Sequence, residues 1–208
     1  MKIEIWSDVV CPWCYIGKRR LESALREFEH ADEVEIAWRS FQLNPDAPET
    51  AVPTRDYLVR RFGPQAEAMT ARVANLARAD GLELNFDRAL TVNTFDAHRA
   101  IHLATERNVA SAAEERLMRA HFTEGADLSA PETLASLLGE VGLDPDAVQA
   151  VLKSTEYADA VRADVEEAYA LGATGVPFFV LDRKYGIPGA QPAEVFLGAL
   201  RKAHADRD

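Results

Sequence analysis

The sequence predicts a mixed α/β fold in which a strand–helix–strand unit and a strand–strand–helix unit, at opposite ends of the chain, enclose a helical block. Three observations predict it. Apolar residues alternate with polar ones over residues 2–6 and again over 34–38, on either side of a stretch with helical spacing. More than a hundred residues then show helical spacing only. After Gly172 the patterning turns back to β, and one last amphipathic helix closes the chain.

In order along the chain, "KIEIW" sets Ile3 and Ile5 between polar neighbours, the pattern of a short strand. From Pro12 to about His30, Tyr15, Leu21, Leu25 and Phe28 recur at helical spacing with charges between them. "EVEIAWRSF" alternates Val34, Ile36 and Trp38 with Glu35, Ala37 and Arg39, a second strand. A strand–helix–strand unit calls for parallel strands and a right-handed crossover. The three prolines of "QLNPDAPETAVPT" then mark a boundary near residue 45.

The block that follows reads as all-helical. Met69, Val73 and Leu76 form a stripe ended by Gly81, and Asn93 or Thr94 can cap a helix running to Arg107. Leu117 and Phe122 share a further helix that ends near Gly125. Pro131 opens the helix of Leu134, Leu137 and Leu138, and "LDPDAV" places Asp144 as N-cap with Pro145 at the first helical position. Tyr157, Val161, Val165 and Ala168 line a helix stopped by Gly172. "VPFFVLD" is a strand buried on both faces, paired with "KYGIP" across a tight turn at Asp182–Lys184, and "PAEVFLGALRKAHA" is the last helix. Neither end carries a full sheet, so the two must meet in space. Residues 1–45 and 173–208 make one discontinuous domain, and 46–172 are inserted into it.

Composition narrows the function. Of 208 residues, 48% are apolar and 27% charged, as in ordinary water-soluble proteins. No apolar run approaches the roughly 18–20 residues of a membrane span, so no membrane partner is expected. "MKIEIWSD" lacks the apolar core of a secretory signal, which points to the cytoplasm. A formal charge of −11 repels phosphate backbones, and no nucleic-acid partner is expected. The apolar faces of the helical block suffice for a homodimer.

The only two cysteines, Cys11 and Cys14, stand in "SDVVCPWCYIGKRR", where the first strand gives way to the first helix. A stabilising clip is a weak reading, since cytoplasmic thiols are kept reduced and so small a loop removes little chain entropy. Zinc would need two more ligands, and with no other cysteine they would have to be histidines. His98 and His102 are spaced for one helical face, although a polar face or an inter-domain surface accounts for them better. Thiol exchange suits the placement better. A helix N-terminus presents unpaired N–H groups and the positive end of its dipole, which favours a thiolate at Cys11. Pro12 suits the first turn, and Cys14 follows one turn later within disulfide reach. Cys11, at an exposed tip, would attack; Cys14, less accessible, would resolve the mixed disulfide. Trp13 would offer an apolar face beside the sulfurs.

Far along the chain, "TGVPFF" sets Pro177 at the first position of a strand, where its missing N–H is tolerated. Sequence does not fix the isomer of Val176–Pro177. The combination of CPWC after a first strand, a long helical insertion and "GVPFFV" before a terminal hairpin and helix resembles the DsbA family of the thioredoxin superfamily. More narrowly, "SDVVCPWCYIGKRRLE", "NTFDAHR" and "GVPFFVLDRKYGIPGAQP" resemble its FrnE-like cytoplasmic branch. The resemblance spans essentially the whole chain. It implies a thioredoxin-like fold with the helical domain inserted, Cys11 as nucleophile, Cys14 as resolving cysteine, and a cis Pro177 beside the disulfide, with Val176 presenting its backbone to an extended substrate.

The activity implied is thiol–disulfide exchange with cysteines of a protein or a small thiol. The cofactor expectation is none beyond the Cys11–Cys14 disulfide, with glutathione a candidate cosubstrate. Kappa-class glutathione transferases and 2-hydroxychromene-2-carboxylate isomerases share the inserted domain. They usually carry serine at the position of Cys11 and an acidic residue in the turn before the last helix. Here that turn reads Gly189-Ala190-Gln191. Gln191 is a candidate substrate contact, or else a helix cap beside Pro192. The Pro-Trp dipeptide brings no positive charge to the thiolate, so the expected potential lies between about −120 mV (DsbA) and about −270 mV (thioredoxin). Asp8, if aimed at Cys11, would push the site further toward reduction. Lys18 lies two turns away, where solvent would screen it.

Overall fold

The computed structural model describes residues 1–207. Strand β1 (Lys2–Ser7), helix α1 (Pro12–Glu27) and strand β2 (Glu35–Ser40) open the chain; β5 (Phe178–Leu181), β6 (Tyr185–Pro188) and α9 (Ala193–Ala205) close it. Their four strands form one sheet in the order β2-β1-β5-β6. β1 lies parallel to β2, setting Ile3 beside Ile36 and Ile5 beside Trp38. It lies antiparallel to β5, setting Ile3 beside Leu181 and Ile5 beside Phe179. The two ends of the chain therefore complete one sheet.

Both faces of β1 are covered. Ile3, Ile5, Phe179 and Leu181 share a buried cluster with Leu21 of α1 and Phe196 and Leu200 of α9. Ile3, Ile5, Phe179 and Phe196 are at most 1% exposed, and each such burial stabilises by about 1.5–3 kcal/mol. The next positions along the strands, Trp6, Phe178 and Val180, point the other way and pack with Ala168.

Between the halves lie α2 (Thr54–Phe62), α3 (Ala66–Ala79), α4 (Phe95–Glu106), α5 (Ala110–Arg119), α6 (Pro131–Gly139), α7 (Pro145–Leu152) and α8 (Ala158–Ala170). The last of these is tied to the sheet by hydrogen bonds. Trp6 Nε1–H donates to the Asp164 carbonyl at 2.7 Å, and the Ser40 N–H donates to Asp164 Oδ2 at 2.9 Å.

The inserted segment is not all-helical. β3 (Val52–Pro53) and β4 (Leu90–Thr91) pair antiparallel in a separate small ribbon. Two residues per strand are too few for alternation to show, and Pro53 reads as a breaker rather than a strand. Nor do Leu117 and Phe122 share one α-helix: α5 ends at Arg119, and Ala120–Glu124 form a π-helical turn closed by Gly125 in the left-handed region. A Cβ at Gly125 would lie 2.5 Å from the Arg88 carbonyl oxygen, so the turn needs glycine for space as well as conformation. Tyr157 sits before α8 with φ 61°, rather than inside it. Asn93, not Thr94, supplies the side-chain cap of α4, its Oδ1 accepting from the Phe95 N–H at 2.9 Å. Asp144 caps α7 through the Asp146 N–H.

Candidate active site

Cys11 occupies the N-cap position of α1, with Pro12 in the first turn. Its N–H donates to the Asp8 carbonyl at 2.9 Å, and its own carbonyl accepts from the N–H groups of Cys14 (3.1 Å) and Tyr15 (3.3 Å). These bonds tie the end of β1 to the start of the helix and put both cysteines in the first turn. Both are free thiols. Cys11 Sγ lies 3.7 Å from the Val176 carbonyl oxygen, and the Val176–Pro177 peptide bond is cis. The sequence thus brings together Cys11, Cys14, Val176 and Pro177 from its two ends.

What lets the ends approach is Gly17. A Cβ at Gly17 would sit 3.0 Å from Pro177 Cγ and 3.1 Å from Phe179 Cζ. Those contacts are tighter than normal carbon packing. "YIGKRR" gives no local signal for this, because the constraint comes from the far end of the chain.

Cys11 does not stand at an exposed tip. It is 2% exposed and Cys14 1%. The pair belongs to a packed cluster with Leu82, Leu84, Met118 and Phe122 of the inserted segment, edged by Val176 and Ala190. Only tertiary closure puts that cover in place, so helical position alone could not show it. Trp13, between the cysteines, stays 39% exposed. Burial pushes the Cys14 thiol well above its ordinary range, helped by the hydrogen bond and charge of Cys11; the Asp8 backbone and Ser7 side chain offset this only partly. Cys14 therefore holds its proton at neutral pH.

Asp8 does not aim its carboxylate at Cys11. Its Oδ2 accepts from the Leu43 N–H at 2.9 Å, and its Oδ1 lies 3.5 Å from His98 Nε2. His98, fully buried, is shifted upward: burial opposes the imidazolium, but Asp8 outweighs it. Glu114 lies in the same interior, and burial pushes its carboxyl up to about 7. Burial moves His121 down to about 4, and its Nδ1 has no hydrogen-bond partner. Glu114 and His121 escape a reading by motif but not by periodicity. Ala110, Ala113, Glu114, Leu117 and His121 recur at helical spacing, so both polar groups fall within an apolar stripe.

Other expected positions differ. Lys18 is buried rather than solvent-screened, its Nζ donating to Glu22 Oε1 and Glu115 Oε2, each at 2.5 Å. His102 Nε2 lies 3.1 Å from Ser40 Oγ and from Asp164 Oδ2, so the two histidines of α4 engage separate carboxylates. Gln191 does not cap α9; its side-chain amide donates to the Pro188 carbonyl at 2.8 Å.

Comparison with known proteins gives a consistent result. The family model for the DSBA-like thioredoxin domain matches residues 2–201. The uncharacterized protein YwbO of Bacillus subtilis (strain 168) is 30% identical over 201 residues, 95% of this chain and 94% of its own. The crystal structure of the probable DsbA oxidoreductase SCO1869 from Streptomyces coelicolor superposes with a TM-score of 0.94 at 45% identity, covering 100% of this chain and 92% of that one. The 2-hydroxychromene-2-carboxylate isomerase structure superposes with a TM-score of 0.70 at 15% identity over 100% of both chains, a likeness of fold.

Proposed function

The chain belongs to the DsbA-like thioredoxin family and is a DsbA-like oxidoreductase, and on that premise we propose how its residues carry out thiol–disulfide exchange. Cys11, as thiolate, attacks one sulfur of a disulfide; a mixed disulfide forms and the other substrate sulfur leaves as thiolate. Cys14 then gives up its proton and attacks Cys11 Sγ, closing the Cys11–Cys14 disulfide and expelling the second substrate sulfur. Two electrons pass from the dithiol to the substrate, and the two departing thiolates take up the protons. Oxidation of a substrate dithiol runs the same steps backward.

The observation that carries this reading is the N-cap placement of Cys11, one turn from Cys14 and 3.7 Å from the Val176 carbonyl. The helix N-terminus favours negative charge on the attacking sulfur. The high Cys14 thiol keeps the second nucleophile dormant until the first has reacted. Val176 offers backbone hydrogen bonds to an extended substrate beside Pro177, and Trp13 offers an apolar surface. Glutathione is a candidate cosubstrate in this scheme, exchanging at the same sulfurs.

The finer placement is the FrnE-like cytoplasmic branch, on the motifs around Cys11, "NTFDAHR" and Pro177. One further fact fits it: both cysteines sit in the exchange site, leaving none for a structural bridge. A glutathione-dependent isomerase shares the fold, but here Cys11 replaces the serine such enzymes use. The Gly189–Gln191 turn has no carboxylate, and its one amide is engaged with Pro188.

The test is substitution of each cysteine. Cys11→Ser should abolish insulin reduction. Cys14→Ser should accumulate mixed disulfides with glutathione, visible by mass spectrometry. Full activity in Cys11→Ser, or glutathione-dependent turnover that survives loss of Cys14, would replace exchange with the isomerase reading.

A further inference from the structure

Beside the CPWC turn the structure holds a half-open cavity of about 360 Å³. Pro12 and Trp13 form one wall, Tyr57, Phe62 and Val73 of α2 and α3 another, and Phe86 and Phe122 line it as well. Phe86, Phe122 and Val73 also pack in the cluster that holds Cys11 and Cys14. The cavity therefore adjoins the exchange site, and Phe122 serves both as its wall and as part of the cysteines' cover. Its size falls in the range of small-molecule sites, about 300–1,000 Å³.

Two features define what fits. The first is apolar exposure at the cavity. Trp13, Leu43, Phe62 and Met69 all line it, and all are exposed, from 37% for Phe62 to 45% for Leu43 and Met69. A cluster of exposed large side chains marks an interaction site. The second is charge. The ionisable lining groups are Asp8, Tyr57, Arg61 and His121. Asp8 is an acid, 1% exposed, and burial keeps His121 neutral at pH 7. Arg61 is exposed, and its Nη1–H donates to the Tyr57 hydroxyl at 2.9 Å. The buried part of the wall thus carries no cation to receive a carboxylate or phosphate. The π-helical turn at Ala120–Glu124 contributes both His121 and Phe122, and such turns are frequent at functional sites.

We propose that this cavity binds a compact, uncharged, largely aromatic molecule, the non-reacting part of a small disulfide or thiol substrate presented to the CPWC turn. This rests on the exchange reading above and narrows its substrate class. With 2,2′-dipyridyl disulfide, Cys11 takes one pyridylthio group and releases one pyridinethiol. Cys14 then releases the second, and the enzyme is left oxidised by two electrons.

The experiment uses N-phenyl-1-naphthylamine, a neutral aromatic fluorophore without sulfur. It should bind one per chain, even in Cys11→Ser, and should slow the single-turnover release of pyridinethiol when reduced wild-type enzyme meets 2,2′-dipyridyl disulfide, an inhibition that excess disulfide relieves. The double variant Phe62→Glu/Met69→Glu should bind the fluorophore at least tenfold more weakly. Val195→Glu, which removes an equally exposed side chain elsewhere, should leave its binding unchanged. The proposal falls if the double variant binds normally, if the fluorophore leaves that single-turnover rate unaltered, or if unfolded polypeptide displaces it while the disulfide does not. Each of those results can occur while insulin reduction still depends on Cys11, so the cavity can fail without the exchange reading failing.

Discussion

Replacing Gly17 by alanine tests whether the approach of α1 to the Pro177 strand is set by a missing side chain. The new Cβ would lie 3.0 Å from Pro177 Cγ and 3.1 Å from Phe179 Cζ, against an optimum of about 3.5–4.0 Å. Ring atoms must retreat by several tenths of an ångström, and both rings are buried, Pro177 just before β5 and Phe179 within it. Overpacking of this kind costs about 1–3 kcal/mol. Alanine also gains about 0.5–1 kcal/mol over glycine inside a helix, so the net loss is small and a single melting curve would not decide the matter. Gly198 of α9 supplies the reference. It is exposed, and an added Cβ there meets nothing within 4 Å. Gly198→Ala should therefore show the helix gain alone. The difference between the two variants isolates the packing cost, and at about 2–4 °C per kcal/mol for a chain of this size it should separate their Tm values by about 2–12 °C. Gly17→Ala should also slow insulin reduction, because Val176 and Pro177 are displaced from Cys11. If Gly17→Ala proves as stabilising as Gly198→Ala, the close approach is not what holds the site together.

Two buried carboxyls give opposite pH signatures. Glu114 has a folded-state pKa raised by burial to about 7 from an ordinary 4.5, so the folded state binds the extra proton and loses stability as pH rises through that window. Glu114→Gln should thus gain on wild type by about 3 kcal/mol between pH 4.5 and 8 in urea denaturation; parallel stability curves would refute this. Glu4 of β1 is only 2% exposed; burial raises its pKa, but hydrogen bonds from Arg183 and Arg39 outweigh it and hold it below 4.5. Its stabilisation is present above that value and is lost as pH falls below it. Glu4→Gln should cost about 1.5–3 kcal/mol at pH 7, with the difference shrinking under acid; an unchanged gap at pH 3 would count against the network.

The sheet was legible because its strands obey the rule of two. Ile3, Ile5, Ile36 and Trp38 alternate in sequence, and the structure pairs Ile3 with Ile36 and Ile5 with Trp38. Cys11 at a helix start was legible from Pro12 and the change of period. Depth was not. Nothing local to "CPWC" says that Leu82, Leu84 and Phe122 cover the sulfurs, because burial belongs to the packing of segments far apart in the chain. The π-turn was hidden for a different reason: one extra residue in a helix shifts the stripe too little to be seen over five residues. Lys18 was misplaced because a lysine at a helical position reads as solvated until its partner, Glu115, is known.

The pairing of Ile3 with Leu181 and of Ile5 with Phe179 has a consequence for the protein's synthesis. While the ribosome works through the inserted segment, β1 has no β5 to pair with. At roughly 5–20 residues per second the delay is on the order of ten seconds or longer. Throughout it Cys11 and Cys14 travel on an emerging chain without Val176 or Pro177 beside them. The nascent polypeptide carries its reagent long before it carries the enzyme, and the last strands to leave the exit tunnel finish both together.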